Sequence, residues 1–368
     1  MNYFFLRIRH LMFLTILIFL VASCGNTGNN ENNNEIQESI DGTLSLPDGF
    51  KAIVVAEDLG RGRHIVVNDN GDIYLALRQI NNDGGVACLR DTTNDGEADI
   101  VEYFGEHPGT GIGIRNGYLY VGADYGVYRY KMTEGELVPT GEAELIAGGF
   151  PEQGSHAVKP FAFDNKGNMY VNVGAPSNAC MEQMRTKGSP GMDPCPQLER
   201  QGGIWRFNAD KPDQDQVADA ERFATGIRNA VAITWNQHVN ELYVVQHGRD
   251  QLHQFYPDMY TVEESANLPA EEMLMVEAGS DFGWPYCYYD QMKGQKVLAP
   301  EYGGDSREIG RCASAVEPIL AFPGHIAPND LLFYHGNQFP EKYKNGAFIA
   351  FHGSWNRGPL EEKGFHVA

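Results

Sequence analysis

Apolar and polar positions alternate along this chain in short bursts. Val66-Val67-Asn68-Asp69-Asn70-Gly71-Asp72-Ile73-Tyr74-Leu75 is an apolar run, an Asn/Asp/Gly turn and a second run centred on tyrosine. The unit returns at Arg115-Asn116-Gly117-Tyr118-Leu119-Tyr120-Val121, around Tyr170, and at Val239-Asn240-Glu241-Leu242-Tyr243-Val244, with a fainter copy at Asn345-Gly346-Ala347-Phe348-Ile349. A two-residue period predicts strands, and the intervening Asn/Gly pairs predict tight turns. No long stretch keeps a helical period. Tyr74, Tyr120, Tyr170 and Tyr243 lie 46, 50 and 73 residues apart. A higher repeat of about 45–50 residues predicts propeller blades rather than a two-sheet sandwich of seven strands, which has none. The longer intervals hold two cysteine-bearing loops, predicted as insertions on one face.

Residues 1–24 stand outside this pattern. Arg7, Arg9 and His10 precede an apolar run, Leu11 to Ala22, too short to span a membrane and suited to a signal peptide. The run ends in Leu20-Val21-Ala22-Ser23-Cys24, which resembles a bacterial lipobox and implies cleavage before Cys24 and lipidation of its thiol. An ordinary signal peptide with a chance cysteine is the alternative. The segment 24–42 is rich in Asn, Glu and Gly and predicts a disordered tether. The chain therefore divides into a leader (1–23), a tether (24–42) and one β domain (43–368).

Composition agrees with an all-β fold: 42 glycines and 19 prolines supply turns, and 37 Phe plus Tyr supply strands. The net charge of −21 argues against nucleic acid and against an anionic membrane surface. The membrane is expected to be touched only through the lipid, on the periplasmic or cell-surface side. With Cys24 lipidated, five of six cysteines remain. Cys180 and Cys195 flank one Gly/Pro-rich loop and Cys287 and Cys312 bracket another, so these two disulfides are predicted and Cys88 is expected to be a buried thiol. A zinc site is the weaker alternative, since neither a C-x-x-C nor a histidine at ligand spacing is present. Neither is a haem attachment motif. Asp91, Asp95, Asp99 and Glu102, with Gly96 at the sixth position, match the spacing of a calcium loop, although an acidic hairpin turn serves equally well.

Several joined motifs resemble the pyrroloquinoline quinone (PQQ)-dependent glucose/sorbosone dehydrogenases, in particular their sorbosone-dehydrogenase-like lipoproteins. They are the hairpin after His156, Gly202-Gly203-Ile204-Trp205-Arg206-Phe207, Gly226-Ile227-Arg228-Asn229, Gln246-His247-Gly248-Arg249-Asp250, Phe282-Gly283-Trp284-Pro285, His325-Ile326-Ala327-Pro328 and His352-Gly353-Ser354-Trp355-Asn356-Arg357. The resemblance runs from about Leu46 to the C-terminus and implies a six-bladed β-propeller. It implies His156 as the base that takes a sugar hydroxyl proton while hydride leaves for the quinone; imidazole titrates in the right range. Ser155 stands where the family has a supporting aspartate. Arg228 and Asn229 match quinone contacts, Arg228 also stabilising charge in the reaction. His247 and Gly248 match backbone carbonyls that bind calcium. His325 matches a hydroxyl-bearing contact. Asn356 stands in place of a lysine, with Arg357 beside it to take over the anionic contact.

Read without the resemblance, His156 is a turn histidine bonded to backbone, Arg228 a structural ion-pair residue, and Arg249 and Asp250 members of internal ion pairs. Trp284-Pro285 reads as core and turn. Three functions compete. The first is a dehydrogenase of an aldose or sugar aldehyde using PQQ and calcium and passing electrons to a separate acceptor. The second is a non-catalytic propeller that binds glycan or protein. The third is a lactonase-type hydrolase. Since the repeat yields about five blades, the chain is also expected to lack the family's last blade, leaving an open gap beside the first.

Overall fold

The structure is a computed structural model describing residues 44–353 and 355–368. The leader, Cys24 and the tether lie outside the described residues. Each predicted run is a strand, and the strands form antiparallel sheets in chain order. The first sheet is Gly62–Val67, Ile73–Asn81, Gly84–Arg90 and Ile100–Phe104. The second is Gly109–Arg115, Tyr118–Ala123, Val127–Lys131 and Glu144–Gly148, joined at its outer edge by Gln214–Asp215 in parallel. The third is Phe161–Phe163, Asn168–Val173, Gly203–Asn208 and Glu221–Thr225, with Ser280–Asp281 added in parallel. The fourth is Ala232–Asn236, Glu241–Gln246, Glu271–Val276 and Leu320–Phe322, and the fifth is Pro328–Phe333, Ala347–Phe351 and His366–Val367.

The repeat has a structural meaning. Tyr74, Tyr120, Tyr170, Tyr243 and Phe348 each fall on the second strand of successive sheets. Tyr74 donates its hydroxyl to the carbonyl of Leu137 (2.9 Å), and Tyr120 to that of Ala209 (3.0 Å), each in a loop of the following blade. The repeated tyrosine thus fastens one blade to the next while its ring fills the space between them.

Four apolar cores lie between consecutive sheets. Tyr74 and Cys88 meet Leu119 and Val121, and Val127 and Ile146 meet Val171 and Phe207. Ile204 and Phe223 meet Ile233 and Leu242, and Ala232 and Val245 meet Leu331 and Ile349. His64, Ile112, Phe161, Ile233 and Leu331, one from each first strand, border a single channel. This is a β-propeller with its first strands around the channel.

The propeller has five sheets where the resemblance implied six. Its first and fifth sheets meet through a polar contact, the His64 imidazole on the carbonyl of Asn329 (2.6 Å). Phe50, ahead of the first sheet, packs on Phe339 and Tyr343 of the fifth. The final residues are paired, with Phe351 opposite His366 in the fifth sheet. Ile65, Val67 and Leu332 remain exposed beside this junction.

The two long insertions pack against each other. Trp284 donates its indole N–H to the carbonyl of Asn178 (3.1 Å), and the Tyr286 hydroxyl accepts from the amide of Cys195 (2.9 Å). Trp284 is buried against Ala175, Cys180 and Cys195. Both predicted disulfides form, Cys180–Cys195 and Cys287–Cys312, and Cys88 is a buried free thiol. Two short helices, Leu252–Phe255 and Val262–Asn267, complete the loop after the fourth sheet's second strand. The second is capped by reciprocal bonds between Thr261 and Glu264.

The Cys180–Cys195 bridge closes 15 residues that carry little core of their own. Replacing both cysteines with serine is expected to lower the unfolding free energy by about 3 kcal/mol. Urea titration checks this; an unchanged midpoint would show that Trp284 packing alone holds the loop.

Candidate functional site

In an antiparallel hairpin the start of one strand and the end of the next lie at the same end. Phe161 pairs with Val171, Ala232 with Val245 and Pro328 with Phe351. The loops before the first strands of these sheets and after their second strands therefore share one mouth of the channel. They carry His156, Arg228, Asn229, His247, Gly248, His325 and Asn356.

His156 occupies a left-handed turn, φ +53°. A β-carbon residue adopts this at some cost in energy, so the position is one that the surrounding structure enforces. Gln153 enforces it: its amide donates to the carbonyls of Ser155 (2.8 Å), His156 (2.9 Å) and Gly174 (2.9 Å). Gly174 is equally constrained. A β-carbon there would come within 2.7 Å of His156 Cβ and 2.5 Å of Asn229 Oδ1. The imidazole Nδ1 lies 2.6 Å from the carbonyl of Ala175. A carbonyl only accepts, so Nδ1 carries the proton and Nε2 holds the lone pair. Burial, with the positive charge of Arg228, pushes the His156 pKa down to about 3. The ring is a neutral acceptor at ordinary pH.

Arg228 follows Gly226, whose φ of +73° and close approach to Asp281 and Gly283 exclude a side chain. The Arg228 guanidinium is buried and its donors point inward. Nη1 donates to the carbonyl of Gly248 (2.7 Å), and Nη2 to Asn178 Oδ1 (3.3 Å) and Asp250 Oδ2 (3.2 Å). Only its Nε lacks a partner. Asp250 is the hub: Oδ2 also accepts from Arg185 (2.8 Å), and Oδ1 accepts from Asn356 Nδ2 (2.6 Å). Burial alone would raise the Asp250 pKa; the charges of Arg228, His325 and Arg185 outweigh it and hold the carboxyl below its usual range. Asn229 accepts from Asn172 Nδ2 (3.3 Å), and its carbonyl accepts the amide of His247 (2.9 Å).

His247 bonds the carbonyl of Pro328 through Nε2 (2.8 Å), and burial lowers its pKa to about 4. Glu271 accepts the amides of Gly248 (2.9 Å) and His325 (2.9 Å), one on each oxygen, tying two mouth loops together. Burial lifts its pKa to about 8. His325 is buried behind the mouth, with Nε2 on the carbonyls of Ser265 (2.9 Å) and Leu268 (3.1 Å) and Nδ1 3.7 Å from Asp250 Oδ1.

Two expectations need correction. Arg357 does not take over an anionic contact at the mouth; its guanidinium bonds the carbonyls of Ala266, Gly324 (3.1 Å) and Glu361 (3.2 Å), fixing the helix-bearing loop. Asp91, Asp95, Asp99 and Glu102 are not gathered into a ligand set. Asp91 and Asp99 accept backbone amides of their own loop, and Glu102 is an exposed residue of the strand Ile100–Phe104. Among the described residues, no three His, Cys, Asp or Glu side chains gather as metal ligands. The internal ion pairs expected for Arg249 and Asp250 are present: Arg249 pairs with buried Glu301, and Asp250 with Arg228. Gln153, Asn178 and Glu271 were not legible as site residues. Each is an ordinary polar residue whose role depends on which loop it meets.

A family model described as TrAA12-like matches residues 44–368. An uncharacterised protein of Borreliella burgdorferi is 25% identical over 333 residues, 87% of this chain and 75% of that one. A pyrroloquinoline quinone-dependent pyranose dehydrogenase of Coprinopsis cinerea is 28% identical over 197 residues, 47% of this chain and 26% of that protein. Among solved structures, the holo form of the Coprinopsis cinerea pyranose dehydrogenase PQQ domain superposes with a TM-score of 0.68 at 19% identity, covering 85% of this chain and 76% of that one. The calcium structure of a Trichoderma reesei family AA12 carbohydrate-active enzyme gives 0.64 at 19%, covering 86% and 78%. At these identities the superpositions show the fold.

Two of the depressed histidines, His156 and His247, make stability pH-dependent. In the unfolded chain they titrate near 6.5; in the fold they stay neutral down to about 4 (His247) and about 3 (His156). Within that window the unfolded chain binds more protons at these two residues, so their contribution to stability is full above about pH 6.5 and falls as pH drops. His247→Gln is expected to lose less unfolding free energy between pH 7 and pH 5 than the wild type does. Equal losses in urea titrations at both pH values would show that His247 is not buried in the neutral form.

Proposed function

The chain belongs to the TrAA12-like family, and from that premise we propose that it is a PQQ- and calcium-dependent oxidoreductase acting on an aldose or sugar aldehyde. The observation that carries the reading is His156: a neutral imidazole in an enforced turn, with Nδ1 held by a carbonyl and Nε2 left as acceptor, at the mouth that also holds Arg228 and Asn229. The pyranose dehydrogenases among the similar proteins bear PQQ in their names, and a calcium form exists of a family AA12 enzyme.

A bound quinone supplies a two-electron acceptor for hydride from the sugar carbon. His156 Nε2 takes the proton of the hydroxyl on that carbon, so hydride and proton leave together and a carbonyl forms. Arg228 supplies fixed positive charge in a water-poor setting, where it favours negative charge developing nearby. Its orientation needs no rearrangement, because Gly248, Asn178 and Asp250 hold both of its Nη atoms. Asn229 stands beside His156 across Gly174. The carbonyls of His247 and Gly248 are the proposed calcium contacts; Gly248's accepts from Arg228 and keeps a second lone pair. Electrons pass to a separate acceptor. Two disulfides fit an oxidising compartment, consistent with export as a lipoprotein anchored at Cys24.

The purified protein is expected to bind PQQ in a calcium-dependent way and to change the quinone's absorbance on adding an aldose. His156→Ala is expected to bind PQQ as before and to lose turnover by about 10²–10⁴-fold. Binding with full activity in that variant would remove His156 from the reaction. Absence of quinone binding in the wild type would favour a propeller that binds glycan or protein without catalysis.

A further inference from the structure

Arg63 is the second residue of the first sheet's strand Gly62–Val67, next to His64. It is half-buried. Its Nε donates to the hydroxyl of Thr110 (3.2 Å), a fully buried residue at the start of the second sheet's first strand. Among the described residues, neither Nη of Arg63 has a hydrogen-bond partner and no carboxylate pairs with it. The neighbouring charges are positive too. Arg61 is exposed beside it, and Arg78 is already paired with Asp124 (3.0 Å). In a chain with 49 acidic residues against 28 basic ones, chance favours a carboxylate partner. A partly desolvated guanidinium with no counter-charge is unfavourable in the free protein.

The position ties Arg63 to the mouth. His64, the next residue, bonds the carbonyl of Asn329, and His247 bonds that of the preceding residue, Pro328. Histidines from the first and fourth sheets thus grip consecutive carbonyls at the head of the fifth sheet's first strand. Arg63 is therefore set beside the His247 loop, and its charge contributes to depressing the His247 pKa. Arg228 offers a contrast: both of its Nη atoms already donate within the protein and Asp250 balances its charge.

We propose that Arg63 is an anion-binding residue of this mouth, its two free Nη groups forking onto a carboxylate of the bound quinone, while Arg228 serves as an internally neutralised cation. The inference rests on the PQQ reading of the site. A planar guanidinium matches a carboxylate through two parallel bonds, which a neutral sugar hydroxyl does not reproduce.

Three measurements on the full chain with calcium test it. PQQ affinity of Arg63→Gln is expected to fall about 10–100-fold, as for loss of a charge-assisted bond, with Arg63→Lys recovering part. The preference of the wild type for PQQ over its trimethyl ester is expected to shrink by a similar factor in Arg63→Gln. Without ligand, the melting temperature of Arg63→Gln is expected to stay equal or rise. Equal PQQ affinity in wild type and Arg63→Gln would overturn the inference and leave the PQQ reading standing. A weaker affinity accompanied by a lower ligand-free melting temperature would assign Arg63 to the scaffold. If the wild type binds no PQQ, the reading and the inference fall together.

Discussion

One buried carboxylate, Asp250, holds the mouth of this propeller together. It receives Arg228 and Arg185 on one oxygen and Asn356 on the other, and its backbone amide and carbonyl both bond Asn178. Through these contacts it joins the loops before and after the fourth sheet's first hairpin, the Cys180–Cys195 insertion and the loop after the fifth sheet's second strand. A carboxylate so far from water persists as an anion only because cations surround it. The same arrangement explains why Arg228 is fully oriented, with both Nη atoms bonded inside the protein.

The histidines follow a related logic. His64, His156, His247 and His325 each place one ring nitrogen on a backbone carbonyl. Such a bond fixes ring orientation and tautomer without a carboxylate partner. In His156 the partner is the carbonyl of Ala175, and Gln153 holds the turn through neutral hydrogen bonds. The consequence is an imidazole kept neutral well below ordinary pH, rather than one whose protonated form a negative neighbour favours.

Much of the fold was legible in the sequence because the tyrosine repeat records a physical contact. Tyr74 and Tyr120 each bond a carbonyl of the following blade, so their spacing measures the distance between blades. The two disulfides were legible from loops with little core of their own. Blade count was not: the fifth sheet's junction with the first rests on His64 and Phe50, neither of which belongs to a repeat. At the site, the positions of His156, Arg228 and His247 were legible from local motifs. The direction of a side chain was not. Arg357 follows Asn356 in sequence, yet one bonds the Ala266 and Gly324 carbonyls and the other bonds Asp250. Asp91 and Asp99 show the same limit, since their spacing suits an ion while their oxygens hold their own loop's amides.

The central claim is that Asp250 and Arg228 form one buried, mutually dependent pair on which the mouth is built. A double-mutant cycle tests it most directly, with unfolding free energies of the wild type, Asp250→Asn, Arg228→Met and the double variant. Each single change is predicted to lose about 3 kcal/mol or more, because each strands the other charge. The double variant is predicted to lose less than the sum by over ~1 kcal/mol. Strictly additive losses would contradict the account.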